Sequence, residues 1–193
     1  MKRLYFISDI KKSGQSCKKY SGEKFYVATG DIENNKITSG EYFTYYNKPS
    51  RANVCCKKAD VLFAKMQNTI KVLEIDDTNV NFIYSTGFYS FYDERIDSRF
   101  LKYFFKSQYF NILKDKNCQG ATMKAINDDG ISEISIPLYD KQKQEKIIDE
   151  LDKLSNLINY NQIEIKNYEE LIKSRFMCQE VAVWKRVLKV FVS

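Results

Sequence analysis

The sequence predicts an α+β protein, with a mixed globular domain over residues 1–137 and a long coiled-coil-forming helical region over 138–193. Three observations predict it. From Asp140 to Phe176 there is no Gly or Pro, and apolar residues keep one helical register. Upstream, short apolar alternations are separated by Gly and Asn turn signals, the pattern of short strands. Between the two lies Pro137, which is expected to end the strand ISEISI a few residues before the uninterrupted helix begins.

Taken in order, LYFISDI fits a strand or a short helix, and the basic stretch KKSGQSCKKYSGEK reads as turn-like. Strands are expected around Tyr26 to Thr29 and Tyr42 to Tyr46, with turns at Gly30-Asp31 and Asn34-Asn35. VLFAKM and IKVLEI read as two strands joined by the polar loop Gln67, Asn68, Thr69. NVNFIYSTGFYSFYD reads as one further strand interrupted at Gly87. The stretch DSRFLKYFFKSQYFNILKD has helical spacing, with Asp97 or Ser98 as cap and Leu101, Phe104, Phe105, Ile112 and Leu113 as its apolar stripe. A turn, a short helical or extended piece and a last strand then run into Pro137. The tail after Phe176 keeps a three-four step at Val181, Trp184, Leu188 and Phe191, but its valine content also fits a strand or a frayed end.

The helix carries a seam. Ile147, Leu151, Leu154, Ile158, Ile165, Tyr168 and Ile172 step by four and three, skipping only Asn161. That spacing averages 3.5 residues per turn, the signature of a left-handed coiled coil. Over this stretch a helix would be roughly 50 Å long. A seam of this length needs a partner helix, unless it lies on its own domain as an ordinary amphipathic helix. Asn161 is either a polar core residue that sets register or a solvated break.

Composition narrows the function. Hydrophobic residues make up 44% of the chain and aromatics 15%, enough for a packed core. No apolar run reaches the ~18 residues of a membrane span, and the apolar centre near the N-terminus is short for a signal peptide, so a cytosolic protein is expected. With no histidine, the commonest general base and the Ser-His and Cys-His pairs are missing. Five scattered cysteines without a C-x-x-C pair point to reduced thiols rather than zinc or a disulfide framework. Neither a metal nor a cofactor is expected. Asp60, Glu74 and Asp76 are near in sequence, but their grouping is ordinary strand-and-turn polarity, not a nuclease site.

The net charge of +6 is unevenly spread. Residues 1–137 carry 21 Lys and Arg against 16 Asp and Glu, and residues 1–24 alone carry seven against two. Such local basicity fits either a polyanion partner or a solvated lysine face.

The junction GATMKAINDDGISEISIPLYDKQKQEKIIDELDKLSNLI resembles the end of a target-recognition domain and the start of the helix in specificity subunits of type I restriction-modification systems. The resemblance rests on Gly120, Thr122 and Ile126, on Ile134, Ile136, Pro137 and Leu138, and on Gln142, Gln144, Glu145 and Ile147. Upstream, ADVLFAKM is similar to the family's G-D-I-L-F-x-R strand, with Ala59 for the Gly and Lys65 for the Arg. The family's P-L-P reads Pro137-Leu138-Tyr139, and its E-Q pair reads Gln144-Glu145. A full-length subunit has two recognition domains and two helical regions, whereas this sequence has one of each. The resemblance implies a homodimer through an antiparallel helix pair, using Ile147, Leu151, Leu154, Ile158, Asn161, Ile165, Tyr168 and Ile172. It also implies double-stranded DNA as partner, with methyltransferase subunits and a restriction subunit that would supply all catalysis.

DNA recognition requires cations for phosphates and amide or guanidinium forks for base edges. Lys11, Lys12, Lys18 and Lys19 are candidate phosphate clamps. Lys48, Ser50, Arg51, Asn53, Lys57, Lys58 and Lys65, with Gln67, Asn68 and Thr69 on the loop, are the other candidate contacts. Arg51 suits guanine, and Asn53, Gln67 or Asn68 suit adenine. Tyr42, Phe43, Tyr45 and Tyr46 read as core or sheet-face aromatics. Two rival functions remain at this point: a coiled-coil adaptor whose globular domain binds protein, and a stand-alone DNA-binding regulator, for which there is no helix-turn-helix pattern.

Overall fold

Four residues divide the domain. In Val61–Ala64 every side chain is buried, and the two-residue period of a strand sends them to opposite faces. Val61 and Phe63 enter one core, while Leu62 and Ala64 enter a second. The computed structural model that shows this describes residues 3–191, with side chains described over 5–176.

Among the described residues, fifteen strands and four α-helices follow in chain order, with a 3-10 turn at Ile7–Asp9. They are β1 (Arg3–Phe6), β2 (Lys11–Lys12), β3 (Gln15–Ser16), β4 (Glu23–Val27), β5 (Ile32–Glu33), β6 (Lys36–Ile37), β7 (Glu41–Thr44) and β8 (Ala52–Cys55). Then come β9 (Val61–Ala64), β10 (Val72–Glu74), β11 (Ile83–Ser85), β12 (Phe88–Tyr92), α1 (Ser98–Lys106) and α2 (Gln108–Lys116). β13 (Cys118–Gln119), β14 (Ala125–Ile126), α3 (Asp128–Ser132), β15 (Ser135–Leu138) and α4 (Lys141–Phe191) complete the chain. One sheet has the order β10-β9-β12-β2 and a second β3-β8-β11-β4-β7. β4 and β11 are parallel neighbours, and the remaining ladders are antiparallel.

The first core lies between the β9 sheet and α1–α2. Phe63, Phe105 and Phe110 meet there with ring centroids 4.7 to 4.9 Å apart. Tilted ring pairs of this kind contribute about 0.5–1.5 kcal/mol each beyond their area burial. Asp97 caps α1 by accepting from Arg99 N at 2.9 Å, and Ser107 caps α2 by accepting from Phe110 N at 3.2 Å. The predicted single helix is therefore two, broken at Ser107, whose extended backbone resets the direction. Its stripe is buried at Leu101, Phe104 and Phe105, but Ile112 is exposed, because the break rotates α2.

The second core fills the gap between the sheets with Val27, Leu62, Leu73, Tyr84 and Phe88. Gly87 separates two strands rather than interrupting one, and they sit in different sheets. The turn-like opening contributes β2 and β3 as edge strands to the two sheets. Asn34 and Asn35, at φ 50° and 61°, form the two-residue turn between β5 and β6, a conformation asparagine tolerates. Tyr42, on the edge strand β7, packs edge-to-face on Phe25 with ring centroids 5.0 Å apart but is largely exposed, as is Tyr46 in the turn after it, so neither is a core residue.

β15 pairs with β1 and continues through Pro137, which lies opposite Leu4, to Leu138. The proline thus sits within the strand rather than ending it as expected, and this pairing joins the start of the chain to the approach to α4. Ile148 is fully buried in the first core and Ile147 packs against it. The compact globular unit thus extends to Ile148, and residues 149–193 form a second, helical unit. Ile147, expected in the dimer seam, instead serves its own domain. α4 is continuous to Phe191, which at 51 residues makes a helix about 75 Å long. The apolar step at Val181, Trp184, Leu188 and Phe191 lies outside the residues whose side chains are described, as does Cys178. Leu154, Ile158, Ile165, Tyr168 and Ile172 are all more than half exposed, and Asn161 is exposed beside them. No helix among the described residues is long and apolar enough to cross a membrane.

Candidate nucleic-acid interface

β2 and β3 are edge strands, so the lysine-rich segments around them remain at the surface. β2 lies beside β12, which in turn lies beside β9, and this brings Lys11 and Lys12 near Lys57 and Lys58 in the turn before β9. These four lysines, with Gln15 and Tyr92, line a cavity of about 360 Å³. Gln15 also lines a second hollow of about 270 Å³ with Lys18, Lys19, Lys24 and Tyr20. Two segments far apart in sequence, 11–24 and 57–58, thus gather seven lysines into adjoining basic hollows. Lys24 was not singled out in the sequence, although it belongs to the same basic opening stretch.

The floor of the first hollow is a buried polar network. Asp60 accepts from Lys57 N at 2.8 Å and from the Ser90 hydroxyl at 3.4 Å, and Ser90 shares a 2.9 Å hydrogen bond with Ser13. Burial pushes the Asp60 carboxyl above the ordinary aspartate range, the partial cost of a desolvated carboxylate. Glu74 pairs with Lys102 at 2.6 Å and accepts from Ser98, while Asp76 caps the turn at Thr78. These three carboxylates are structural, and no cluster of metal-ligating residues occurs among the described residues.

Aromatic rings line the basic surface. Lys19 lies 5.0 Å from the Tyr46 ring, Lys24 lies 5.4 Å from Tyr20, and Lys48 lies 5.6 Å from Tyr45. Lys65 stands 4.1 Å from the Tyr89 ring and Lys12 stands 4.9 Å from it. Asp128 of α3 accepts from the Tyr89 hydroxyl and pairs with Lys12. Those two partners hold the Asp128 carboxyl below the ordinary range, so it is charged at neutral pH. Lys58 pairs with Asp77 at 2.5 Å.

The remaining candidates divide by what holds them. Ser50 and Arg51 are exposed in the turn between β7 and β8. Asn53 sits half-buried on β8, where its amide oxygen accepts from Cys17 N at 3.2 Å. Gln67, Asn68 and Thr69 lie at the far end of β9 from Lys57 and Lys58. Their loop is clamped: Gln67 Nε2 donates to Asp115 O at 3.1 Å, and Asn68 N donates to Asp115 Oδ1 at 3.0 Å. The Lys114 ammonium, fully buried, donates to Met66 O at 3.1 Å and to Thr69 O. Asn68 alone of the three is exposed, presented at φ 56°. Lys114 has no helical or strand signal that marks it as a loop clamp; only the tertiary approach of α2 reveals it.

The family motif residues are equally explained by geometry. Gly120 has φ 126°, and a Cβ there would lie 2.6 Å from Met123 O. Gln144 is buried and holds three backbone groups: it accepts from Asp97 N and donates to Arg95 O and Tyr139 O. A family model described as the type I restriction modification DNA specificity domain matches residues 7–168. The chain belongs to this family. Specificity domains recognise DNA and are not catalytic. This one is 25% identical over 159 residues to the type I restriction enzyme HindI specificity subunit of Haemophilus influenzae, over 78% of this chain and 34% of that protein. The specificity domain matches the HsdS subunit of Thermoanaerobacter tengcongensis with a TM-score of 0.70 at 22% identity, over 82% of this chain and 43% of that one. It matches a chain from a solved type I R-M system with a TM-score of 0.70 at 20% identity, over 83% and 44%. Those two likenesses establish the fold. The specificity domain spans about a third of the length of the curated relative and under half of each solved chain.

Proposed function

We propose that this chain, in the cytoplasm, reads one half of a bipartite DNA target and directs methyltransferase subunits, and through them a restriction subunit, to that sequence. The observation that carries the reading is the gathering of Lys11, Lys12, Lys57 and Lys58 with Lys18, Lys19 and Lys24 around two adjoining hollows that share Gln15. Cations placed this way neutralise phosphates and supply the salt-dependent part of affinity. Arg51 and Asn68, exposed on loops, have the donor geometry to read base edges, while the clamps on Gln67 and Thr69 hold the Asn68 loop in shape.

The helical unit supports dimerisation as part of this reading. Leu154, Ile158, Ile165, Tyr168 and Ile172 leave an apolar seam exposed, which an antiparallel copy of the same helix covers. Two recognition domains then read two half-sites separated by the helix length. Selection from a random duplex library, with and without the methyltransferase, tests the proposal. Enrichment of a split sequence is expected, and enrichment of none in either condition overturns it. The adaptor reading draws on the same exposed seam; complex formation that is indifferent to DNA would favour it.

A further inference from the structure

Asp128 occupies an odd place for a protein that binds polyanions. Its carboxylate pairs with the Lys12 ammonium and accepts the Tyr89 hydroxyl, and the Lys65 ammonium lies on the ring of the same tyrosine, 4.1 Å from its centroid. Lys12 comes from β2, Lys65 follows β9 and Asp128 opens α3, so three separate segments converge on one carboxylate. The pair is open to solvent, with the Lys12 side chain 43% exposed and the Asp128 side chain 69% exposed. Exposed pairs are held weakly, and a phosphate can replace the carboxylate without breaking the fold. α3 does not need Asp128 to start, because Asn127 caps it by accepting from Gly130 N at 2.9 Å.

We infer that Asp128 is a carboxylate gate on the interface, occupying Lys12 in the free protein and yielding it only when a DNA phosphate displaces it. The inference rests on the DNA-reading function above and adds a role to it. Displacement lowers affinity for every sequence alike, so a duplex that offers only phosphates binds weakly and base contacts become necessary for tight binding. Asp128 thus sets the affinity threshold for stable binding without touching a base, leaving the ratio between sequences unchanged.

The test uses the full chain and a random-sequence duplex of about 20 base pairs, with anisotropy read over a range of salt. Asp128→Asn is compared with Asp129→Asn, which makes the same charge change one residue away, outside the cluster, and Asp128→Ser serves as a second variant. Melting curves check that each folds. The gate predicts that both Asp128 variants bind the random duplex several-fold tighter than Asp129→Asn does. Because Lys12 holds a phosphate in the wild-type complex as well, the salt slope should change no more in the Asp128 variants than in Asp129→Asn. Wild-type binding that Asp128→Asn and Asp128→Ser strengthen no more than Asp129→Asn overturns the gate alone. No binding by wild type or any variant overturns the gate and the DNA reading together.

Discussion

Gln144 Oε1 accepts from Asp97 N at 2.8 Å, across 47 residues of sequence. Asp97 is the cap of α1, so this bond joins the first turn of the long helix to the start of the helix that covers the first core. The same amide donates to Arg95 O and Tyr139 O, at 2.9 and 2.8 Å. A buried side chain holding three backbone groups cannot be removed cheaply. Gln144→Ala is expected to destabilise the globular unit by about 2–4 kcal/mol, since each orphaned group costs about 1–3 kcal/mol before water enters. Urea unfolding measures it, and an unchanged midpoint would show that the bonds are dispensable.

Ala59 stands where the resembled motif has Gly, and the structure gives the reason for the Gly. Its φ is 71°, in the left-handed region that costs a residue with a Cβ about 1–2 kcal/mol. Ala59→Gly should therefore stabilise the protein by about 0.5–1 kcal/mol, after the extra freedom glycine has in the unfolded chain is subtracted. Thermal unfolding decides it: a lowered melting temperature would contradict the strain.

Lys114 offers a pH signature. Burial lowers its ammonium below the ordinary lysine range, so the unfolded chain binds more protons than the folded one in the window between the two values. Wild-type stability should rise with pH across that alkaline window, relative to Lys114→Met. At neutral pH, Lys114→Met should cost about 1–3 kcal/mol, because the Met66 and Thr69 carbonyls lose their donor. Denaturation at stepped pH values checks both the sign and the size.

The two kinds of DNA contact separate by their salt dependence. Lys11→Ala and Lys57→Ala should weaken binding to all sequences and lower the salt slope by about 0.9 each. Arg51→Ala should leave the slope less affected and relax preference at one base pair, a loss of about 1–3 kcal/mol of discrimination. Anisotropy with selected and random duplexes distinguishes them, and equal losses on both duplexes for Arg51→Ala would remove it from base reading.

Leu154→Asp with Ile158→Asp should leave the melting of the globular unit unchanged while abolishing a dimer in light scattering. Both residues are more than half exposed, so the substitutions disturb no core of the single chain. A dimer that survives them would place the association elsewhere.

What the sequence determined by itself was local. The Gly- and Pro-free helical register beyond Asp140, the β-rich run VLFAKM, a helix cap at Asp97 or Ser98 and the Asn-Asn turn are each set by neighbours within a few residues, where sterics and propensity act without distant help. The family motif was readable because Gly120, Ile136 and Gln144 each answer a fixed demand: a positive φ, a buried strand face and three backbone groups. Tertiary structure decided the rest. Whether a lysine is a surface clamp or a buried brace depends on which element approaches it, so Lys11 and Lys114 look alike in sequence and differ completely in the fold. Ile147 and Leu154 share a seam on paper, yet the first packs against the domain core and the second remains exposed, because the domain surface ends between them. Periodicity specifies a helix face; only packing specifies what that face meets.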